Sequence, residues 1–146
     1  MAFQLSTTEI DNIMTGDQNW STDGLGKSGE VNLVGSDFGM RSISRFLIEQ
    51  PQEYFKAIAA QGLSPKKIDQ IKIFNNSILH QEVHTPAIEQ AVDHQTGFME
   101  AEDYRGVATL NAYRPLDLDN LDWVINAKVD IAEALEPIKD FSAKYS

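Results

Sequence analysis

The chain contains no cysteine, which removes disulfides, thiolate metal sites and cysteine nucleophiles from consideration. It is also poor in positive charge: 12 Lys and Arg stand against 22 Asp and Glu, for a formal net charge of −10. Nucleic acid is recognised through clustered Lys and Arg, so a nucleic-acid partner is disfavoured, and an anionic lipid surface is disfavoured for the same reason. No apolar run approaches the roughly 18 residues of a membrane-spanning helix. The opening MAFQLSTTEI lacks the basic flank and apolar stretch of a signal peptide. The expectation is either a cytoplasmic protein or a piece of something larger.

What is present fits one globular domain. The 146 residues are enough to bury a core, and 42% apolar with 23% charged residues is an ordinary balance. Ser6-Thr7-Thr8-Glu9 reads as a capping box opening a short helix with Ile10, Ile13 and Met14 on one face. Residues 16–29 are rich in Gly, Asp, Ser and Asn and read as a loop. Residues 30–35 alternate, with Val31 and Leu33 on one face and Asn32 and Val34 on the other, which predicts a strand. A turn at residues 36–39 and a second strand over 40–46 would complete a hairpin.

Residues 51–94 read as helical throughout. Pro51, Ser64-Pro65 and Thr85-Pro86 are start signals: a hydroxyl cap, or a proline in the first helical turn. Three further strands are expected at 97–102, 107–114 and 121–130, the first two joined by the turn Asp103-Tyr104-Arg105-Gly106. Asp130 and Glu133 then suit the start of a last helix, which Pro137 should kink or end. Strands grouped as hairpins, rather than alternating with single helices, favour an α+β design with an antiparallel sheet and helices over one face.

Several motifs tempt a chemical reading. Gly26-Lys27-Ser28 imitates a phosphate-binding loop, but Ser21 stands where the first glycine belongs, and a strand follows where a helix is needed. The glycines more simply permit a tight approach to the strand. HQEVH, residues 80–84, resembles a zinc motif, yet its glutamate is one place late and no further ligand is at hand. DLDNLD, residues 117–122, has Leu121 where a calcium ligand should stand. Asn19-Trp20-Ser21 and Asn75-Asn76-Ser77 fit the short glycosylation pattern. Glu100 and Glu102 would share a strand face with nothing converging on them. No catalytic constellation, metal site or cofactor-binding motif emerges.

The segments GKSGEVNLVGSDFGMRS and DYRGVATLNAYRPLDLDNLDWVINAKVDIAEAL resemble a Cache domain, a PAS-like extracytoplasmic sensor module of bacterial transmembrane receptors. Gly29, Leu33, Gly106, Leu110, Tyr113, Pro115, Leu116, Trp123 and Glu133 occupy positions of that pattern. MRSISRFL, DYRG, LDWVINAKVD and EALEPI resemble more closely the sensor region of membrane-bound adenylate or guanylate cyclases. Asn32 stands where that pattern has an aromatic, Asn126 where it has an apolar residue and Lys128 where it has an acid. The resemblance implies five antiparallel strands in the order 2-1-5-4-3, with all 146 residues forming a single sensor module. It implies a membrane-proximal fragment whose last helix continues into a transmembrane helix and a cytoplasmic cyclase. The fragment itself would be extracytoplasmic and non-enzymatic, and would need no cofactor. The full receptor would be a homodimer serving signal transduction and cyclic-nucleotide synthesis. The same sensor fold on a histidine kinase or a chemotaxis receptor is an alternative, as is a stand-alone PAS-like small-molecule-binding protein.

In that strand order Asn32, Asn126 and Asn111 would form a polar row beside Tyr113, able to hold a small molecule. A merely solvated sheet face is the plainer alternative. Arg41 and Arg45 are the other candidates, since an arginine fork suits a carboxylate. Their plainer role is ion pairing, with Asp37 or Asp103 as partners.

Overall fold

The computed structural model describes residues 18–20, 24–116, 118 and 120–136. The capping box at residues 6–9, the first expected helix, Asp117, Asp119 and Pro137 lie outside the described residues.

Four strands form one antiparallel sheet: β1 (Glu30–Gly35), β2 (Gly97–Glu102), β3 (Ala108–Pro115) and β4 (Trp123–Asp130). Their order across the sheet is β1-β4-β3-β2. Between β1 and β2 run α1 (Arg45–Glu49), α2 (Pro51–Ala60), α3 (Pro65–Phe74) and α4 (Pro86–Val92), and α5 (Ile131–Ala134) follows β4. The architecture is α+β, as the hairpin grouping predicts.

Among the described residues the expected five-stranded sheet is corrected to four strands. Residues 40–46 do not form a strand: Met40 makes a single bridge to Val34, and the chain then turns into α1. Serines explain the departure. The Ser42 hydroxyl accepts the Leu33 N–H at 2.9 Å, taking the place of a ladder partner. Ser44 then caps α1 by accepting the Leu47 N–H at 3.3 Å. Met40 N–H meanwhile donates to Gln81 O at 2.9 Å, and Val83 N–H to Phe38 O at 2.8 Å, so this segment pairs with the stretch after α3. The other strands keep the expected neighbours.

The continuous helical reading of residues 51–94 also resolves into pieces. Ser64 and Thr85 cap α3 and α4 through the N–H groups of Lys67 and Ile88, with Pro65 and Pro86 behind them in the first turn. Asn75 ends α3 in the left-handed region at φ 49°. Residues 76–85 are not helical.

Pairing places Glu30 opposite Lys128, Asn32 opposite Asn126, and Val34 opposite Val124. It places Tyr113 opposite Asn126 and Asn111 opposite Lys128. Because side chains alternate, these residues share one face, and the helices cover it. Val34, Tyr113 and Val124 from that face join Phe46, Tyr54, Ile58, Ile71, Ala87, Ile88 and Ala91 in the apolar core.

Candidate functional site

The helix-covered face of the sheet is polar at one end, and there the interior charges gather. Lys128 Nζ lies 3.1 Å from Glu30 Oε1 and 2.6 Å from Asp103 Oδ2, with all three side chains buried. Asp103 comes from the β2–β3 turn, where its carboxylate also accepts the Arg105 N–H at 2.8 Å. The Arg105 guanidinium bridges Asp103 at 2.7 Å and Asp130 at 2.5 Å, and lies 3.8 Å above the Phe46 ring. The Tyr104 hydroxyl donates to the Glu30 carboxylate (2.9 and 3.1 Å) and sits 2.6 Å from Ser44 Oγ. Arg45 N–H donates to Glu30 Oε2 at 2.7 Å. Charges removed from water in this way persist only when paired and hydrogen-bonded, and each of these is.

Protonation follows from this geometry. Burial acts to raise the Asp103 carboxyl, but Lys128 and Arg105 outweigh it and hold the group below the ordinary carboxylate value. Burial works against the Arg105 charge, and Asp103 and Asp130 more than restore it. Burial, reinforced by Glu30, pushes the Tyr104 phenol well above its ordinary value, so it remains a donor.

Beside the charges lies an amide layer. Asn126 Nδ2 donates to Asn111 Oδ1 at 3.0 Å, and Asn111 Nδ2 donates to Thr109 Oγ1 at 3.0 Å. Thr109 Oγ1 in turn donates to Ala101 O at 2.8 Å. Three buried polar atoms among the described residues lack a protein partner: Asn32 Oδ1, Asn126 Oδ1 and Gln81 Nε2. Buried polar atoms left this way cost about 1–3 kcal/mol each, so they call for an occupant. Gln81 accepts the Tyr54 hydroxyl through its oxygen, its buried Nε2 is unpaired, and the residue lines a cavity of about 190 Å³. Ile58, Leu63, Glu82, His84, Asp103 and Tyr104 are among the other lining residues.

The structure brings together four of the six residues singled out from sequence. Asn32, Asn111, Asn126 and Tyr113 share the covered face, and all four are buried rather than solvated. The two arginines stand elsewhere. Arg41 Nη2 pairs with Asp37 at 3.0 Å, and Nη1 donates to Gly39 O at 2.9 Å. The bond from Arg41 holds the Asp37 carboxyl below its ordinary value. Arg45 is buried, paired with Glu49 at 2.8 Å and directed at carbonyls of the loop before β1.

Glu30, Asp103, Lys128 and Gln81 are not among the ligand-site candidates drawn from the sequence. Glu30 and Lys128 carried a legible signal, since each lies two residues from a buried asparagine on the same strand face. Asp103 and Gln81 reach the site from a turn and a loop, which periodicity does not describe.

The histidine motif dissolves in a similar way. His80 stacks on Phe74 (ring centroids 5.0 Å apart) and His84 on Phe38 (4.4 Å), outside any helix, and no metal-holding cluster occurs among the described residues. A larger cleft of about 900 Å³ opens on the other sheet face, walled by Phe98, Leu110, Ala127, Leu25 and Glu133. Glu100 and Glu136 line it as well. No helix among those residues is long and apolar enough to cross a membrane.

No family model matches the chain, and no curated protein matches it. Among solved structures it is similar to the ligand-binding domain of the amino acid chemoreceptor PctB of Pseudomonas aeruginosa PAO1 in complex with L-Arg. That match has 18% identity and a TM-score of 0.44, over 97% of this chain and 42% of that one. The same domain in complex with L-Gln matches at 18% identity and a TM-score of 0.41, over 97% and 45%. The extracellular domain assigned to a histidine kinase, mmHK1S-Z3, matches at 13% identity and a TM-score of 0.48, over 93% and 40%. The chain spans less than half the length of each of these structures.

Proposed function

We propose that the chain is a signal-sensing module that holds a small polar molecule in the cavity between α2, residues 81–85 and the β2–β3 turn. The observation that carries this is Gln81, which lines the cavity with Tyr104 and Asp103 and whose buried Nε2 is unpaired. It is a donor waiting for an acceptor oxygen. Asn32 Oδ1 and Asn126 Oδ1, the other two unpaired buried atoms, lie on the covered sheet face and do not line this cavity. In this reading the module itself catalyses nothing. Binding favours one arrangement of sheet and helices, and that bias passes to the chain leaving β4.

The sequence pattern supports an extracytoplasmic sensor of a membrane-anchored, dimeric adenylate or guanylate cyclase. A histidine kinase or chemotaxis receptor as the output fits the same module, as does a stand-alone small-molecule-binding protein. An apolar stretch of about 20 residues following position 146 in the gene would favour the receptor readings.

The test is native mass spectrometry of the purified module, followed by a thermal-shift screen of small polar molecules. The expected result is a bound small molecule, or a stabilising hit, whose effect disappears in Gln81→Leu and persists in Arg41→Ala. A module that carries nothing and answers to no compound would overturn the reading.

A further inference from the structure

The run Gly26-Lys27-Ser28-Gly29 fails as a nucleotide loop, yet it does cradle an anion, and the anion belongs to the chain itself. Lys27 N–H donates to Glu133 Oε2 at 2.8 Å. Ser28 N–H and the Ser28 hydroxyl donate to Glu133 Oε1 at 3.0 and 2.9 Å. The Ser28 oxygen also accepts Asp130 N–H at 3.0 Å, at the residue that caps α5. Successive amides turned toward one carboxylate make a concave anion site without any help from a helix.

The backbone of the turn is shaped for this. Gly26 has φ +58°, and a Cβ there would lie 2.7 Å from Glu133 Oε1. A Cβ on Gly29 would lie 2.2 Å from Leu25 O, whose oxygen accepts the Gly29 N–H at 2.8 Å. Behind the turn, the Arg45 guanidinium donates to Gly29 O at 2.6 Å and to Gly26 O at 2.7 Å. In the Gly26–Lys27 peptide the carbonyl faces the cation and the N–H faces the anion, so that peptide is polarised to strengthen both contacts. Burial alone would raise the Glu133 carboxyl, but the bonds from Ser28 and Lys27 hold it below its ordinary value.

We infer that this turn is a carboxylate clasp: by gripping Glu133 it sets the direction in which the chain leaves the sheet through α5. The helix needs such a tether, because α5 is only four residues long, buries none of them and has no side-chain cap. The clasp is also wired to the interior. Arg45, which grips the turn from behind, donates its own N–H to Glu30, and Asp130 pairs with Arg105. Its use as an output latch rests on the proposed sensing role, whereas its existence does not.

The test uses the unliganded protein, so the lack of any ligand would sink the sensing role and leave the clasp standing. Glu133→Gln and Ser28→Ala are compared with the parent by amide hydrogen exchange. Exchange at residues 27 and 28 should rise by about 10–100-fold, the worth of hydrogen bonds to a charged group. Protection in β3 and β4 should hold, which shows that the variants remain folded. Because the chain has no cysteine, nitroxides can be placed uniquely at Ala132→Cys and Glu53→Cys, both on exposed positions. Their distance distribution should broaden in Glu133→Gln. Unchanged exchange at 27 and 28 in both variants overturns the clasp. Raised exchange with an unmoved distance distribution overturns its control of direction.

Discussion

Lys128 reaches from β4 to the β2–β3 turn and places its ammonium 2.6 Å from the Asp103 carboxylate, with both side chains 1% exposed. An ion pair this deep adds little net stability, because desolvation of both charges opposes the attraction. It does join the turn to the far side of the sheet, and Glu30, 3.1 Å from the same ammonium, extends the link to β1.

Removing one member should therefore cost far more than removing the set. Lys128→Met leaves Glu30 and Asp103 short of a buried countercharge and should destabilise by ~3–5 kcal/mol. Adding Glu30→Gln to Lys128→Met should recover part of that loss. Urea unfolding of the single and double variants checks this, and equal losses in the two would contradict it.

Acid should act through the same carboxylate. The folded value of Asp103 lies below its ordinary one, so its contribution is complete above the unfolded value and fades as pH falls through the folded value. Stability should decline below about pH 4, the ordinary aspartate range. Glu30, Lys128, Arg105, Tyr104 and Asp130 surround it. Asp103→Asn should flatten the part of the acid limb that belongs to this group, as read from unfolding midpoints between about pH 6 and pH 2, the span about its ordinary value.

Tyr104→Phe should cost about 1–3 kcal/mol, because it strips Glu30 of a buried donor. The same substitution made in a Glu30→Gln background should cost less, since a neutral acceptor loses less. A double-mutant cycle on chemical unfolding measures the difference.

The glycines before β1 should separate by environment. Gly24 has φ +85°, and a Cβ added there would meet nothing within 4 Å, so alanine should cost only the left-handed strain of about 1–2 kcal/mol. Gly29→Ala drives a methyl onto the Leu25 carbonyl and should cost more, since backbone cannot step aside as a side chain can. Thermal unfolding of the two variants gives the order.

Much of the fold is legible where hydrogen bonding is local. Ser64-Pro65 and Thr85-Pro86 announce α3 and α4 because a cap and a proline act within one turn. The alternation of β1 and β4 puts Asn32 and Asn126 on one face, and the pairing register sets them opposite each other. The strand expected at 40–46 fails because Ser42 takes the Leu33 N–H that a ladder would have used, and Ser44 starts a helix by capping the Leu47 N–H. His80 and His84 would be helix neighbours only if residues 51–94 formed one continuous helix, and the left-handed Asn75 ends α3 before them.

By itself the sequence determined the absence of thiol chemistry through composition, and the α+β class, the starts of α2–α4 and the strand faces through residues within a turn or two of one another. Tertiary structure alone decided that the polar row is sealed under helices, that Asp103 and Lys128 meet, and that the glycine-rich turn grips Glu133 rather than a phosphate. Those outcomes join residues as much as 106 positions apart. Their energies come from desolvation and charge pairing, which have no value until the chain has closed around them.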